Sequence, residues 1–348
     1  MGRYIIVGAG AVGGTIGGRL YEAGHDIVLV ARGAHYEAMR KEGLRLITPD
    51  GDRTLPIPTV DRPEAVDLLP DDVLILATKT QDSAAALDAW AARPVSGGHA
   101  GTGATAGAVL PVVLAQNGVE NERLALRRFS HVYGASVWLP AGHLEPGVVE
   151  SRGTPISGIL HLGRYPGGED DTARRISAAL EKSKFRAPVC VDVMRWKYAK
   201  LVSNLANSIE ALCGPTDDPR AQELRRRVKA EGESVLVAAG IDYATDEERA
   251  PYVALLRMEP AAAGRPQYSG STWQSLARAT GSVETDYLNG EIALLGRCHG
   301  VPTPANEALQ RAVGQFAREQ RPAGSFDPDR LAELIDLTDQ YRGPERTE

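Results

Sequence analysis

The sequence predicts an α/β half followed by an all-helical half, and three observations carry that expectation. A short apolar strand, Arg3 to Val7, runs directly into Gly8-Ala9-Gly10-Ala11-Val12-Gly13 and then a helix. The unit closes with a second strand at Asp26 to Val30, about thirty residues in all. Short apolar strands keep alternating with helical stretches as far as Val191. From Asp192 onward the strand signals vanish and the chain reads as consecutive helices. The domains expected are residues 1–191 and 192–342, with a polar tail at 343–348.

At 348 residues the chain has length for two cores. A hydrophobic content of 43% and a charged content of 24% are ordinary for a globular protein. The net charge of -6 argues against a nucleic-acid partner, which would demand a basic face. No run approaches the ~20 apolar residues that cross a bilayer. Tyr4 to Val7 is too short for the apolar core of a signal peptide. The expectation is a cytoplasmic protein that meets no membrane. Cys190, Cys213 and Cys298 lie far apart in apolar surroundings, as reduced thiols do, so neither a disulfide frame nor a metal site is expected.

A G-x-G-x-x-G match is weak in a chain with 37 glycines. Its place directly after a strand and at the start of a helix is what gives it meaning. Gly8 permits the tight turn, Gly10 lets the backbone approach a pyrophosphate, and Gly13 lets helix and strand pack closely. Ala9, Ala11 and Val12 complete a turn whose N–H groups and helix dipole face the phosphates. The first half is therefore read as a Rossmann-type dinucleotide-binding domain. Arg32 ends the second strand, where an NAD site usually has an acid. A guanidinium there can pair with a 2′-phosphate, which points to NADP(H); a plain surface arginine is the alternative.

A helix is expected over His35 to Glu42, then a hairpin of Leu44 to Ile47 and Thr54 to Ile57 around Pro49-Asp50-Gly51. The buried strand Asp71 to Ala77 delivers Lys79 to the sheet edge where such folds bind ligands, as a cofactor contact or as a solvated loop lysine. Pro94 to Gly107 reads as a flexible insertion without chemistry. The next strand, Val109 to Ala115, delivers Gln116-Asn117-Gly118. Asn117 either caps the helix expected from about Val119 or hydrogen-bonds nicotinamide or substrate. Residues 129–162 read as antiparallel additions to the sheet. A helix at Asp171 to Lys182 and a short strand near Pro188 to Val191 follow.

The helical half opens on an apolar segment from about Val191 to Cys213, unbroken by Pro or Gly. Lys200, Asn204 and Asn207 recur at helical spacing beside an apolar stripe of Tyr198, Leu201, Leu205, Ile209 and Leu212. No other charge falls between Lys200 and Glu210, so a buried ammonium flanked by two amides is expected. The alternative is a lysine that snorkels to water. Further helices are expected from about Pro219 to Ala239, from Ser271, from Glu284, from Asn306 and over Pro328 to Tyr341, with a loop over Ala261 to Gly270.

Four stretches together resemble the ketopantoate reductase (2-dehydropantoate 2-reductase) family. They are GAGAVG at 8–13 with VARG at 30–33, QNGVEN at 116–121, KLVSNLAN at 200–207, and ETDYLNGEI with HGVPTPAN within 284–306. The resemblance implies an NADPH-binding Rossmann domain, a helical domain and an active site in the cleft between them. It implies that Lys200 is the catalytic lysine and that Asn204 and a neighbour further along the helix hold substrate. Asn117 would touch both nicotinamide and substrate. Thr272, where the family commonly has serine, would bind the substrate carboxylate, and Glu284 would help set the lysine. The family often has a second Asn eight residues after the lysine; here that position is Ser208, with Asn207 one place earlier. On a regular helix these two point about 100° apart.

Hydride addition to a ketone builds charge on oxygen, which needs a proton donor or a fixed positive charge, and a lysine supplies both. The leading reading is thus NADPH-dependent reduction of a small 2-oxo acid, ketopantoate to (R)-pantoate first. Reduction or oxidation of another 2-oxo or β-hydroxy acid and an NADPH-binding regulator without turnover are the competing readings. A homodimer is compatible with either.

Overall fold

A computed structural model describes residues 2–97, 103–260, 270–279 and 281–340. The expected tail and the expected loop after Ala261, up to residue 269, lie outside the described residues. The chain divides into two compact units, and the division falls between Lys197 and Tyr198.

The first unit is built on an eight-stranded sheet. Its strands are β1 (Tyr4–Val7), β2 (Ile27–Val30), β3 (Thr59–Val60), β4 (Val73–Leu76), β5 (Pro111–Leu114), β6 (His131–Trp138), β7 (Gly158–Arg164) and β8 (Phe185–Arg186). They lie in the order β8-β7-β6-β5-β4-β1-β2-β3. Only the β6–β7 pairing is antiparallel. Helices α1 (Ala11–Glu22), α2 (Gly33–Glu42), α3 (Thr80–Ala91), α4 (Asn121–Leu126) and α5 (Asp171–Lys182) connect them.

Alternate residues of the central strands feed two cores. Ile6, Leu29, Ile75 and Val113 pack on one face with Ile16 and Leu20 of α1 and Ile176 and Leu180 of α5. Ile5, Val7, Leu74 and Leu76 pack on the other with Ala86, Leu87 and Trp90 of α3. The chain leaves β1 toward β2 on one side and returns as β4 on the other, so the strand order reverses at β1. That reversal is where doubly wound sheets hold ligands.

Helix α1 also carries a second, four-stranded sheet, made of Gly51–Leu55, Leu44–Thr48, Val148–Ser151 and Ala141–Gly142 in that spatial order. The helix has room between two sheets because it lacks side chains where they approach. A Cβ on Gly17 would sit 2.7 Å from Leu29 of the large sheet, and one on Gly14 2.7 Å from Val149 of the small one. Real Cβ atoms do not come that close, so a side chain at either position would push a packed neighbour aside.

The main departures from the sequence reading fall among the later strands. Val148–Ser151 leaves the large sheet to pair in parallel with Leu44–Thr48. Its alternation suits either sheet, because each has one face to cover. The last strand of the large sheet is Phe185–Arg186, while Val189 makes only an isolated bridge to Leu162. The expected insertion is partly structured. Pro94 bridges to Thr105, and Ala106–Val109 is a short helix with Ala106 buried. Residues 98–102 lie outside the described part.

Residues 243–260 fold with the first unit although the sequence reading puts them in the helical half. Arg257–Met258 pairs antiparallel with Gly153–Thr154, and Arg195 makes a two-pronged ion pair with Glu248 at 2.9 and 3.0 Å. Two residues of strand are too few to leave a periodic signal.

The second unit is helical. It takes the end of α6 (Val193–Asn204), then α7 (Asn207–Cys213), α8 (Pro219–Ala238), α9 (Ser271–Ala277), α10 (Asn289–His299), α11 (Pro304–Arg318) and α12 (Pro328–Gln340). Leu201, Leu205, Ile209, Val228, Ile292 and Leu309 are buried in it. A polar chain runs through this core. Glu231 of α8 accepts from the backbone N–H groups of Ala305 and Asn306 at 2.9 and 3.0 Å, capping α11 from outside. Asn306 passes the chain to Asn289 (2.9 Å), and Asn289 to Ser208 (2.6 Å).

Among the described residues, no helix is long and apolar enough to cross a membrane. No group of three or more His, Cys, Asp or Glu among them could hold a metal ion.

One buried group in the first unit has a consequence for acid stability. His161 is stacked on Trp196 (3.7 Å between centroids) and meets Tyr252 edge-on. Neither ring nitrogen has a hydrogen-bond partner among the described residues. Burial, aided by the charge of Arg186, pushes its pKa from 6.5 down to about 3. The unfolded chain therefore binds a proton that the folded chain refuses, and stability falls as pH drops from 6.5 toward 3. At about pH 4.5 this penalty is about 2–3 kcal/mol. His161→Phe should remove it, leaving a flatter acid limb in urea midpoints measured across that range.

Candidate functional site

In the first unit the expected cofactor residues all lie at the C-terminal edge of the parallel strands. Gly8 follows β1 with φ +99°, and a Cβ there would sit 2.8 Å from the Thr78 nitrogen. Only glycine suits both that conformation and that approach. The N–H groups of Gly8 and Ala9 donate to the Val30 carbonyl, each at 3.0 Å, which ties the turn to the end of β2. Gly13 is as constrained, since a Cβ on it would collide with the Gly8 carbonyl.

Gly10 differs. Its φ is −71°, and no protein atom lies within 4 Å of where its Cβ would be. Neither strain nor internal packing explains a glycine there. Room for something outside the chain does. Helix α1 starts at that point with no side-chain cap and no acid in its first turn. Its leading N–H groups and positive dipole end are therefore left for an anion, with Ala11 and Val12 in the first turn. The turn fits a dinucleotide pyrophosphate.

His35, which the sequence reading did not single out, holds this turn from outside. Its Nδ1 accepts from the Gly147 N–H at 2.9 Å, so Nε2 carries the hydrogen and donates to the Ala9 carbonyl at 2.8 Å. Burial lowers its pKa, which favours the neutral ring this bridge requires.

Arg32 is the N-cap of α2; it is exposed, and its guanidinium has no ion-pair or hydrogen-bond partner among the described residues. Lys79 is the half-buried N-cap of α3 at the exit of β4. Asn117 follows β5 and is half-buried, with its carbonyl accepting from Thr80 Oγ1 at 3.4 Å. It does not cap α4, which begins at Asn121 with Glu120 as N-cap. That removes the capping explanation for Asn117.

The second unit holds the expected catalytic and substrate residues, with two changes. The segment from Val191 is not one helix. It breaks after Asn204 and resumes at Asn207. The Leu205 carbonyl, which a continuous helix would offer to Ile209, instead accepts from Asn289 Nδ2 at 3.1 Å. The Ile209 N–H turns to Ala206 at 3.0 Å. A side chain distant in sequence thus competes for the helix's own carbonyl.

The second change is burial. Lys200 is half-buried, not enclosed. The fully buried lysine of this helix is Lys197, one turn earlier. Asn204 is buried, and its Oδ1 accepts from Asn207 Nδ2 at 3.4 Å. Asn207 packs beside Gly270, at the start of the helix that carries the buried Thr272. Ser208 is fully buried and gives its hydroxyl hydrogen to Asn289.

Glu284 opens a short 3-10 turn and is buried. Burial lowers the pKa of the half-buried Arg278, and the charge of Glu284 partly offsets that. Arg278 stands six places before Glu284 in a stretch with no motif, and nothing in the sequence singles it out.

The family model described as "Ketopantoate reductase PanE/ApbA" matches residues 4–167, and that of its C-terminal part matches residues 192–317. The chain belongs to the ketopantoate reductase family. A 2-dehydropantoate 2-reductase of Pyrococcus horikoshii is 28% identical over 337 residues, covering 93% of this chain and 99% of the relative. One from Mesorhizobium japonicum is 29% identical over 348 residues, covering 91% and 98%. The crystal structure of a PanE/ApbA family ketopantoate reductase from Ralstonia eutropha has a TM-score of 0.73 at 27% identity. It covers 92% of this chain and 100% of that one. D-mandelate dehydrogenase, solved with NADH and anilino(oxo)acetate, shares the fold with a TM-score of 0.74 at 22% identity, covering 92% and 99%.

This ketopantoate reductase family member is an oxidoreductase acting on a CH–OH/C=O pair with a nicotinamide cofactor. A cavity of about 450 Å³ also opens in the first unit, lined in part by Tyr4, His25, Tyr133 and Arg175. It lies at the starts of the strands, the opposite edge from the glycine turn, and plays no part in this site.

Gly10 gives a direct test of the turn. Gly10→Ala should fold with unchanged thermal stability and bind dinucleotide roughly tenfold or more weakly, through crowding of the pyrophosphate. Fluorescence titration with NADPH beside a thermal melt measures both.

Proposed function

We propose that the protein reduces a small 2-oxo acid with NADPH, ketopantoate to (R)-pantoate first, and so serves pantothenate biosynthesis. Lys200 is the proton donor. The observation that carries this reading is the set Lys200, Asn204 and Asn207: an ammonium and two mutually hydrogen-bonded amides around a helix break. The buried Thr272 and Glu284 of the same unit supply a hydroxyl and a carboxylate.

Bound NADPH supplies hydride from C4 of its nicotinamide ring. The chain's own residues do the rest. Ala11 and Val12, which open α1 after Gly10, present N–H groups to the pyrophosphate, with Ala9 held in the turn behind them, and Arg32 pairs with the 2′-phosphate. Lys79 lies against the cofactor, and Asn117 orients its nicotinamide end and the substrate. Thr272 and the amides of Asn204 and Asn207 fix the substrate carboxylate and hydroxyl. As charge grows on the carbonyl oxygen, Lys200 stabilises it and delivers a proton. Glu284 holds the lysine in place.

The choice of NADPH over NADH rests on Arg32, a guanidinium at the strand end that pairs with no acid among the described residues. A second reading, another 2-oxo or β-hydroxy acid, is favoured by Ser208. The residue at the family's second amide position is consumed by Asn289, so the amide comes from Asn207, one place earlier on the same helix.

A panel of 2-oxo acids, followed by loss of NADPH absorbance, separates the two readings. Ketopantoate should be the best substrate; activity on other oxo acids but none on ketopantoate supports the second. Lys200→Ala should lower kcat by roughly 10²–10⁴-fold and leave NADPH affinity intact. A near-normal rate would remove the proposed acid. Arg32→Asp should cost NADPH roughly tenfold or more in affinity over any loss for NADH, the worth of one or two charge-assisted hydrogen bonds. Equal losses for both would discredit the 2′-phosphate assignment.

A further inference from the structure

The first unit contains an ion pair that the family's expected site residues leave out. Lys197 of α6 and Glu122 of α4 meet with side chains only 1% and 0% exposed. Space has been cleared for them. On the neighbouring strand β6, a Cβ at Gly134 would sit 3.3 Å from Glu122 Oε1 and 2.9 Å from Val193. Taking two charges out of water costs so much that an apolar pair of similar volume is often as stable or more so. Stability alone therefore does not explain why the pair is there.

What Lys197 does besides pairing is specific. Its Nζ donates to the backbone carbonyl of Gln116 at 3.2 Å. Gln116 immediately precedes Asn117. The next carbonyl, that of Asn117 itself, accepts from Thr80 Oγ1 at 3.4 Å, and Thr80 in turn accepts from Asn121 Nδ2 at 3.0 Å. The Gln116 side chain is anchored through Nε2 to Ser83 Oγ at 3.3 Å. Gly118, with φ +84°, then turns the chain away. Two consecutive carbonyls are thus each held by a side-chain donor, and the Asn117 side chain projects from the Cα between them.

We infer that Lys197 is a positioning residue. It fixes the peptide plane between Gln116 and Asn117, and through it the Asn117 amide. Glu122 keeps the ammonium aimed. The inference rests on the proposed function, which gives Asn117 the nicotinamide end of the cofactor and the substrate. A turn held only by its own backbone would let that amide swing, and a misplacement of about 1 Å can cost roughly a hundredfold in rate.

The test uses the whole protein and the double variant Lys197→Met/Glu122→Leu, which removes both charges and leaves neither unpaired. A thermal melt near that of the wild type is expected, with kcat per folded site down roughly 10- to 100-fold. Glu122→Gln keeps an acceptor for Nζ and should recover most of the turnover. A double variant that folds and turns over like the wild type overturns the inference. If it does not fold, Glu122→Gln decides: a folded protein with a tenfold or greater loss shows that charge matters rather than position, roughly what removing a positioned group costs.

A second readout needs no substrate. Wild-type affinity for NADPH is compared with that for 2′-phospho-ADP-ribose, which lacks the nicotinamide. The double variant should lose the difference between the two ligands while keeping its affinity for the shorter one. An unchanged difference overturns the inference. Should the wild type reduce no 2-oxo acid, the proposed function fails on that result alone, and this comparison still tests Lys197.

Discussion

Helix α1 is pressed between two sheets, and the glycine end of the first unit depends on that confinement. The helix meets the large sheet through Gly17 and the small one through Gly14 and Gly18, where a Cβ would come within 2.7–2.8 Å of Leu29, Val149 and Leu46. Apolar burial draws the three layers together, and the absence of side chains sets how close they come. With the helix fixed in this way, its N-terminus has one position relative to β1 and β2. The leading N–H groups then point where an anion can use them. The pinning of Ala9 by His35 works from the same small sheet, through the Gly147 N–H. A layer with no chemistry of its own thus holds the cofactor turn on two sides.

Much of this was legible in the sequence. The β1-turn-α1-β2 unit falls within a residue or two of its expected bounds, because short apolar strands and a glycine turn are local signals. Helix α5 matches its expected span, Asp171 to Lys182, because its amphipathic period is strong. The ketopantoate reductase family was also legible, because its motifs keep their order along the chain. What escaped depends on partners far away in sequence. Val148–Ser151 could have paired in either sheet, and nothing in its residues chooses between them. The break after Asn204 has no proline or glycine to mark it, since its cause is Asn289, 84 residues from the carbonyl it takes.

The two lysines of α6 make the same point about the site. Both lie in one apolar segment, and composition gives no reason to bury one more than the other. The structure encloses Lys197 against Glu122, 75 residues earlier, and leaves Lys200 half-buried. An ammonium that packs fully into a core needs a partner to offset desolvation. The helical unit spends its buried polar groups in a similar way. Glu231, Asn306, Asn289 and Ser208 satisfy one another, so a hydroxyl that counting along the chain would assign to substrate belongs to the core.

The interrupted helix carries a further implication for how relatives of this protein differ. Residues 204 and 207 sit on separate helical pieces, with a carbonyl between them taken by the carboxamide at 289, so the angle between their side chains is not fixed by helical pitch. Register arguments that number positions forward from the lysine lose their meaning beyond the break. A change at a core position can therefore re-aim residues 204 and 207 without altering either of them.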